Sequence, residues 1–443
     1  MALFPQSALN DGVRKREVFG WAMYDFANSG YTTVVLTAVF NAYFVSVVAG
    51  NAAWGTFAWT CALAFSSAVV MLTVPTLGAQ ADRRAMKKRL LLVTTAGCVV
   101  ATAALAWAGP GDVAWAVVAV VLSNICYAYG EFLIAAFLPE LARGGSMGRV
   151  SGWGWSFGYC GGMLTLGLSL AYVLIGKANG IPATQTVPVS MLITASVYAL
   201  ASTVTFVLLR ERAVPQPPRP GDEAGVAASI RRLRRSWRDA MRYEDFRWLL
   251  ACSVAYQAGI AVVIAVAAVY AQQVIGFEQT QTMLLIFLVN IASAAGAFGW
   301  GYVQDRIGQR RALSIALIGW MVMTVMVAAG TATPTGRVLF WVAAVIAGLC
   351  MGASQSGGRA LAGLFAPAPR RAEFFGLWTV ATRFAAVIGP LTYGLVTLLS
   401  GNNHRLAIVF TGGYFVAGWL LLRRIDVARG SERAVGVTCG DPA

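Results

Sequence analysis

The sequence predicts an all-α integral membrane protein with twelve transmembrane helices arranged as two pseudo-symmetric six-helix halves. First, 58% of its 443 residues are hydrophobic and only 12% are charged, against about 25% charged in an average soluble domain. Second, the apolar residues form twelve blocks, each long enough for a membrane span of about 20 residues. Third, when the sequence is shifted by 223 residues, blocks two to five fall within a few residues of blocks eight to eleven.

The twelve predicted spans are separated by short charged or polar segments. They cover residues 19–48, 54–78, 89–108, 113–137, 151–175, 187–209, 247–273, 282–303, 312–330, 337–360, 373–399 and 405–423. The first block is too long for a cleavable signal sequence and is followed at once by another span, so we expect it to remain in the mature protein.

Lysine and arginine predict the orientation of these spans, because positive residues are held in the cytoplasm. With the amino terminus inside, 29 of the 34 Lys and Arg residues fall in cytoplasmic segments. The outer loops hold only Lys177, Arg337 and Arg405. We therefore expect a multi-pass protein of the cell (inner) membrane with both termini in the cytoplasm.

The composition divides the chain into four regions. Residues 1–210 form the first six-helix half, 211–246 a cytoplasmic linker, 247–425 the second half and 426–443 a cytoplasmic tail. The first part of the linker is rich in proline. In the second part, Ile230, Leu233, Trp237 and Met241 are spaced so that they would share one face of a helix, with many arginines on the other face. This pattern favours an amphipathic helix on the inner leaflet, with a solvated charge run as the alternative.

Two signature loops occupy equivalent positions in the halves. Residues 78–88 read GAQADRRAMKK and residues 301–311 read GYVQDRIGQRR, so that Asp82 and Arg83 correspond to Asp305 and Arg306. Glycine allows close helix approach, and aspartate at a helix end can pair with an arginine of a neighbouring helix. An internally duplicated half is typical of secondary transporters.

These loops resemble the signature of the major facilitator superfamily, and four further stretches narrow the resemblance. Residues 21–30 (WAMYDFANSG), 154–162 (GWSFGYCGG), 352–359 (GASQSGGR) and 372–376 (AEFFG) are similar to the "unknown major facilitator" family. That family includes fungal autophagy-related vacuolar effluxers, which implies the major facilitator fold and amino-acid export. The chain departs from the family at residues 257–259 (QAG) and at Ile134 and Ala135, which removes polar groups from two helices.

Three ionisable residues lie deep within the predicted spans, where each is a functional candidate because of its cost in the membrane. Asp25, Glu131 and Arg383 have similar predicted depths, so we expect them to share one polar cavity. Arg383 could bind an anionic substrate or only neutralise an acid. Asp25 and Glu131 are the candidate proton carriers. Further candidates for the substrate or proton pathway are Asn28, Tyr31, Tyr127, Gln257, Asn290 and Gln355.

Two other groups of residues have predicted mechanical roles. Arg359, near the predicted cytoplasmic end of the tenth span, is expected to pair with Asp305, and both belong to a candidate gate with Asp82, Arg83 and Arg306. In the fifth span, Gly154, Gly158 and Gly162 are four residues apart and form a smooth face together with Gly161. Such a face favours close helix packing and would also permit sliding.

The sequence contains few of the residue types that catalyse reactions or bind cofactors. There is one histidine, His404, and no close pairing among the seven cysteines, so we predict no metal, no cofactor and no enzymatic activity. No ATP-binding P-loop is present. The net charge is +15, but the charged residues lie between the spans, which argues against nucleic-acid binding.

The leading function is secondary or facilitative transport of a small organic solute by a monomer, with protons as a candidate coupling ion. A lipid flippase and a non-transporting receptor are the alternatives.

Overall fold

A computed structural model describes residues 3–52, 54–215, 234, 237–330, 336–401 and 403–436. Within these residues the fold is all-α, and the only β interaction is an isolated bridge between Leu9 and Ala142. Twelve helical segments in this described part of the chain are long and apolar enough to cross a membrane. The predicted number of spans and the predicted fold class are therefore confirmed.

The twelve spans are numbered α1 to α12 in chain order. They are Lys15–Val48, Gly55–Arg83, Lys87–Trp107, Val113–Leu141, Gly144–Ala178, Ala183–Leu208, Glu244–Ala267, Gln281–Ile307, Gln309–Gly330, Gly336–Phe365, Ala368–Leu399 and His404–Leu422. Several exceed the roughly 20 residues that a bilayer requires, so their ends extend past its apolar region. In α1, the π-helical segments Thr32–Ala38 and Phe44–Val48 interrupt the regular helix, which the apolar pattern does not predict.

The two halves meet through two pairs of helices related by the internal repeat. The main contacts between the halves join α2 with α11 and α5 with α8. In the internal repeat α2 corresponds to α8 and α5 corresponds to α11. The α2–α11 pair of helices is therefore equivalent to the α8–α5 pair. We call the end of the bundle that carries residues 84–86 and Gly308 the signature end. Gly308 has φ 91°, a left-handed conformation that glycine adopts without steric cost.

Residues 3–13 form an N-terminal strap across the signature end. Asn10 Nδ2 donates to the carbonyl oxygens of Pro139 and Glu140 at the end of α4. Farther out, the ring of Phe4 lies 5.0 Å from Trp153 of α5 and 5.9 Å from Phe298 of α8. The strap thus contacts both halves where they meet.

The region predicted as a tail contains a further helix, α13, Val427–Gly436. Arg429 forms two hydrogen bonds of 2.8 Å with the carboxylate of Asp245 at the start of α7. Of the predicted amphipathic linker helix, Ile230 and Leu233 lie outside the described residues. Trp237 and Met241 are described, and Trp237 is exposed.

Candidate functional site

A buried ion pair joins the two halves near the signature end. Nη1 of Arg359 in α10 lies 2.7 Å from Oδ2 of Asp25 in α1. Arg359 is only 3% exposed and Asp25 is also buried. A buried charge of this kind persists only when it is paired and hydrogen-bonded, so the surroundings of the pair determine whether it can form.

Helix α5 supplies most of those surroundings. Arg359 donates from Nε to Ser151 Oγ at 3.1 Å and from Nη2 to the Ser151 carbonyl at 2.8 Å. Its guanidinium carbon lies 4.7 Å from the centre of the Trp21 ring and 5.3 Å from that of Trp155, distances at which cation–π attraction operates. A Cβ on Gly154 would lie 2.4 Å from Asp25 Oδ2. The pair therefore requires glycine at this position of α5.

The prediction that Arg359 pairs with Asp305 is wrong in this structure. Helix α10 continues to Phe365, so Arg359 lies about 9 Å inside its end at 1.5 Å per residue. That depth brings it level with Asp25. The aspartate of the second signature loop has other partners.

The signature aspartates instead cap helices of the opposite half. Asp305 accepts hydrogen bonds from the backbone N–H groups of Gly148 at 3.1 Å and Arg149 at 3.2 Å, at the start of α5. Asp82 accepts one from the N–H of Glu373 at 3.0 Å, at the start of α11. The two loops thus perform the same task at related positions, since a carboxylate satisfies and neutralises a helix N-terminus.

The other candidate gate residues lie beside these caps. Arg306 is exposed and Arg83 is partly exposed. Arg149 brings its Nε to 3.4 Å from Asp305 Oδ2, so the second signature aspartate does have an arginine partner, on α5 rather than α10. The signature loops therefore lie at the contact between the halves, on which any gating role of these residues would depend.

A second buried charge group at the signature end was not predicted. Lys87, fully buried at the start of α3, forms a short ion pair with Glu140 at the end of α4. The Glu140 carboxylate also lies 4.0 Å from Arg371 Nη1 in α11. Glu211 accepts from the backbone N–H groups of Lys87 and Lys88. Lys87 and Glu140 resemble ordinary loop charges in the sequence, and only the packing of three helices reveals their burial.

The second inter-half ion pair lies deeper and is partly exposed. Nη2 of Arg383 in α11 lies 3.0 Å from Oε2 of Glu131 in α4, and the Glu131 side chain is 40% exposed. The guanidinium carbon of Arg383 is 5.6 Å from the centre of the Tyr127 ring. This pair thus leaves part of a carboxylate accessible within the span α4.

The structure divides the three predicted site residues between two pairs. Asp25 pairs with Arg359 rather than Arg383, whereas Glu131 and Arg383 pair with each other. The expectation of one shared site assumed that Arg383 was the cation available to both acids. The deeper position of Arg359 supplies the second cation.

The polar candidates in the first half form a hydroxyl network. Tyr198 donates to Asn28 Oδ1 at 2.8 Å, and the Tyr31 hydroxyl lies 2.8 Å from Ser123 Oγ. The Tyr31 ring packs against Tyr127, with ring centres 5.1 Å apart, which connects this network to the Arg383 pair. These contacts hold the polar groups of α1, α4 and α6 in fixed positions.

The polar candidates in the second half are organised differently. Gln257 of α7 and Gln355 of α10 exchange amide hydrogen bonds, at 2.9 Å in one direction and 3.4 Å in the other. Asn290 donates to the carbonyl of Ile286 in its own helix. Among the described residues, no three His, Cys, Asp or Glu side chains lie close enough together to bind a metal.

The glycines of α5 lie against α1. A Cβ on Gly161 would lie 2.1 Å from the Phe26 carbonyl oxygen, and one on Gly158 would lie 2.9 Å from Ser29 Oγ. At Gly162 the nearest atom is Thr33 Oγ1, at 3.0 Å. With Gly154 they allow two backbones to approach closely, and the same approach brings Ser151 and Trp155 to Arg359.

Comparison with solved structures gives the class to which this fold belongs. The human organic anion transporter MFSD10 (TETRAN) aligns with a TM-score of 0.73 at 16% identity, covering 92% of this chain and 99% of that chain. The E. coli fucose:proton symporter FucP aligns with a TM-score of 0.68 at 14% identity, covering 93% and 98%. The fold is that of the major facilitator superfamily of membrane transporters.

Sequence comparison specifies the family. The family described as "Vacuole effluxer Atg22 like" matches residues 42–149 and 145–435, and the chain belongs to this family. The uncharacterized MFS-type transporter YxiO of Bacillus subtilis is 24% identical over 90% of this chain and 94% of its own length. Autophagy-related protein 22-1 of Aspergillus niger is 27% identical over 51% of this chain and 40% of its own length. These relationships support membrane transport of a solute as the general activity.

Proposed function

We propose that the protein is a secondary transporter that binds a small zwitterionic solute, such as an amino acid, between Arg383 and Glu131. The observation that carries this proposal is the partly exposed ion pair between α11 and α4. An ammonium group can replace Arg383 beside Glu131, and a carboxylate can bind the guanidinium fork of Arg383. A zwitterion thus exchanges one ion pair for two while both protein charges stay neutralised.

The proposed conformation is outward-facing. The helix caps at Asp82 and Asp305 and the buried Asp25–Arg359 pair all join the halves toward the signature end. The charge distribution of the sequence assigns this end to the cytosol of a cell-membrane protein. The exposure of Glu131 is consistent with a cavity open on the other side. Alternating access then requires these contacts to separate when the cavity opens inward.

Proton coupling is part of the proposal and is assigned to Glu131. When the solute leaves, Glu131 can retain neutrality either through Arg383 or through a bound proton. Asp25 is buried against Arg359, with only 11% of its side chain exposed in this conformation, so it would become fully accessible only after the pair opens. Glu131 is therefore the better placed of the two candidate carriers.

The test is solute exchange in proteoliposomes that contain the purified full-length protein. Candidate solutes come from comparing amino acids, organic anions and sugars retained by vesicles with and without the protein; a fluorescent phospholipid tests the flippase alternative. We expect Arg383→Ala to abolish uptake. Glu131→Gln removes the proposed partner of the ammonium group, so it should weaken solute binding, and the exchange that remains should not respond to a pH gradient. Arg405→Gln, an exposed arginine at the other end of the bundle, is the matched control.

Two outcomes would overturn the assignment. Wild-type transport kinetics in folded Arg383→Ala protein would remove the solute site. A normal pH response in Glu131→Gln would rule out proton coupling through this residue.

The proposed orientation has its own test. Cysteines placed at residues 85 and 308 should react only with reagents on the cytosolic side, and labelling from outside would reverse the proposed orientation.

A further inference from the structure

Four arginines and two tryptophans form a cluster at the signature end of α7, α9 and α12. We call it the arginine–tryptophan cluster; its members are Arg247, Trp248, Arg310, Trp419, Arg423 and Arg424. The guanidinium carbons of Arg247 and Arg424 lie 5.5 and 5.8 Å from the centre of the Trp248 ring. That of Arg423 lies 4.3 Å from the Trp419 ring. Two indoles thus orient three guanidinium groups at one edge of the protein.

Hydrogen bonds fix this edge. Trp419 Nε1 donates to Ser314 Oγ of α9 at 2.7 Å. Arg310 Nη2, in the first turn of α9, donates to the carbonyl oxygen of Arg423 at 2.9 Å, just past the end of α12. Because α12 packs against both α7 and α9, the cluster forms a continuous rim across three helix ends.

Within the ranges that the structure describes, no acidic side chain pairs with the arginines of the rim. In the described part of the chain, none of the four arginines has a carboxylate oxygen within 4.0 Å. The nearby acids are engaged elsewhere: Asp245 and Glu244 pair with Arg429. Asp426 accepts hydrogen bonds from the backbone of Ala428 and Arg429. Four exposed cations therefore have no paired carboxylate among the described residues.

The rim lies directly above a surface that faces lipid. Leu420, two residues before the end of α12, is 52% exposed, and Ile315 of α9 is 47% exposed. Exposed apolar side chains on a membrane span contact acyl chains, while tryptophan is enriched at the level of the headgroups. A ligand on this rim would thus have its charged group beside the arginines and its apolar part along α9 and α12.

We propose that the arginine–tryptophan cluster binds the phosphate group of an anionic phospholipid from the adjacent leaflet. The guanidinium fork matches two phosphate oxygens, and cationic residues next to a membrane span attract anionic lipids. Uncompensated charge makes phosphate the complementary group, and the apolar surface below it selects a lipid over a free phosphate ester. This site lies on the outer rim of the second half, separate from the Arg383 pair.

The test measures retained lipid on purified full-length protein by native mass spectrometry, with phosphatidylglycerol and phosphatidylcholine as probes. Wild-type protein should retain phosphatidylglycerol preferentially. Each arginine lost should weaken that retention about five-fold, so Arg423→Gln/Arg424→Gln should weaken it about 25-fold. The variant Arg423→Lys/Arg424→Lys keeps the positive charge but loses the guanidinium fork. Its retention of phosphatidylglycerol should lie between that of wild type and that of Arg423→Gln/Arg424→Gln. Arg16→Gln/Arg89→Gln, which removes two exposed arginines at the same end of the first half, should behave as wild type.

Other results would overturn the proposal. Equal phosphatidylglycerol retention by the Arg423→Gln/Arg424→Gln and control variants would show that the cluster is not the site. Equal retention of phosphatidylcholine would show no recognition of net charge. If soluble glycerol phosphate displaces the lipid at equal concentration, the site binds phosphate without selecting a membrane lipid. A symmetric size-exclusion peak and an unchanged melting temperature establish that each variant is folded.

Discussion

Arg359 of α10 and Asp25 of α1 form a 2.7 Å ion pair across the two halves, at a place where α5 contributes a glycine. The pair is buried, so each charge depends on the other for neutralisation. Any motion that separates the halves at the signature end must break it or carry both residues together. The pair therefore couples the packing of α5 to the conformational cycle.

Gly154→Ala should disrupt this coupling. The new Cβ would lie 2.4 Å from Asp25 Oδ2 and 2.6 Å from Arg359 Nη2, closer than real Cβ contacts allow. We expect at least a tenfold loss of transport rate and a lower melting temperature. Gly167→Ala, on the same helix with nothing within 4 Å of its Cβ position, is the control. Wild-type flux in Gly154→Ala would show that the pair can move without penalty.

Neutralising one partner of the pair should harm the protein more than neutralising both. Asp25→Asn or Arg359→Gln leaves one buried charge without a counter-charge, which costs about 3–5 kcal/mol. The double variant Asp25→Asn/Arg359→Gln should regain much of the lost thermal stability. Stability is measured by thermal unfolding in detergent. Additive losses in the double variant would mean that the two residues act independently.

The cap at Asp305 gives a prediction that separates hydrogen bonding from charge. Asp305→Ala leaves the N–H groups of Gly148 and Arg149 without their acceptor, at a cost of about 1–2 kcal/mol. Asp305→Asn keeps an amide oxygen as acceptor and should lose less. Exposed Arg306→Ala should change stability by less than about 0.5 kcal/mol. If Asn is as damaging as Ala at position 305, the charge opposite Arg149 matters more than the cap.

Weakening the N-terminal strap should favour opening at the signature end. Phe4→Ala removes ring contacts with Trp153 and Phe298, each worth about 0.5–1.5 kcal/mol. A cysteine replacing Ser356, which is fully buried, should then react at least about five times faster in a cysteine-free background. Phe57→Ala, whose side chain is 72% exposed, is the control. Equal labelling rates in both variants would exclude a latching role for the strap.

The sequence was sufficient to predict the spans because apolar length is a local property. Twelve blocks of about 20 residues predict twelve helices regardless of how they pack. Similar helix depths, together with the resemblance to a superfamily whose cavity these helices border, also placed Glu131 near Arg383, but the same argument grouped Asp25 with Arg383, whereas Asp25 pairs with Arg359. These features need only the position of a residue along its own helix.

The partners of Asp25 and Lys87 required information that one sequence does not contain. Arg359 was misplaced because the apolar pattern weakens before α10 ends, and its true depth depends on the helix continuing to Phe365. Some signal was available: Trp21 and Asp25, like Ser151 and Trp155, are four residues apart and share a helix face. The sequence around Lys87 and Glu140 contains no comparable signal, because the burial of a charge in a loop depends on which helices pack over it.

The strap also bears on how the protein is assembled. Asn10 contacts α4, which emerges from the ribosome soon after it, but Tyr302 donates to the Leu3 carbonyl across 299 positions of the chain. Phe4 is thus made long before its neighbour Phe298 exists. Its docking must wait until α8 has entered the membrane, so a segment that is synthesised almost 300 residues before its partners completes its contacts late. During biogenesis, occupation of this contact reports that both halves have been inserted and joined.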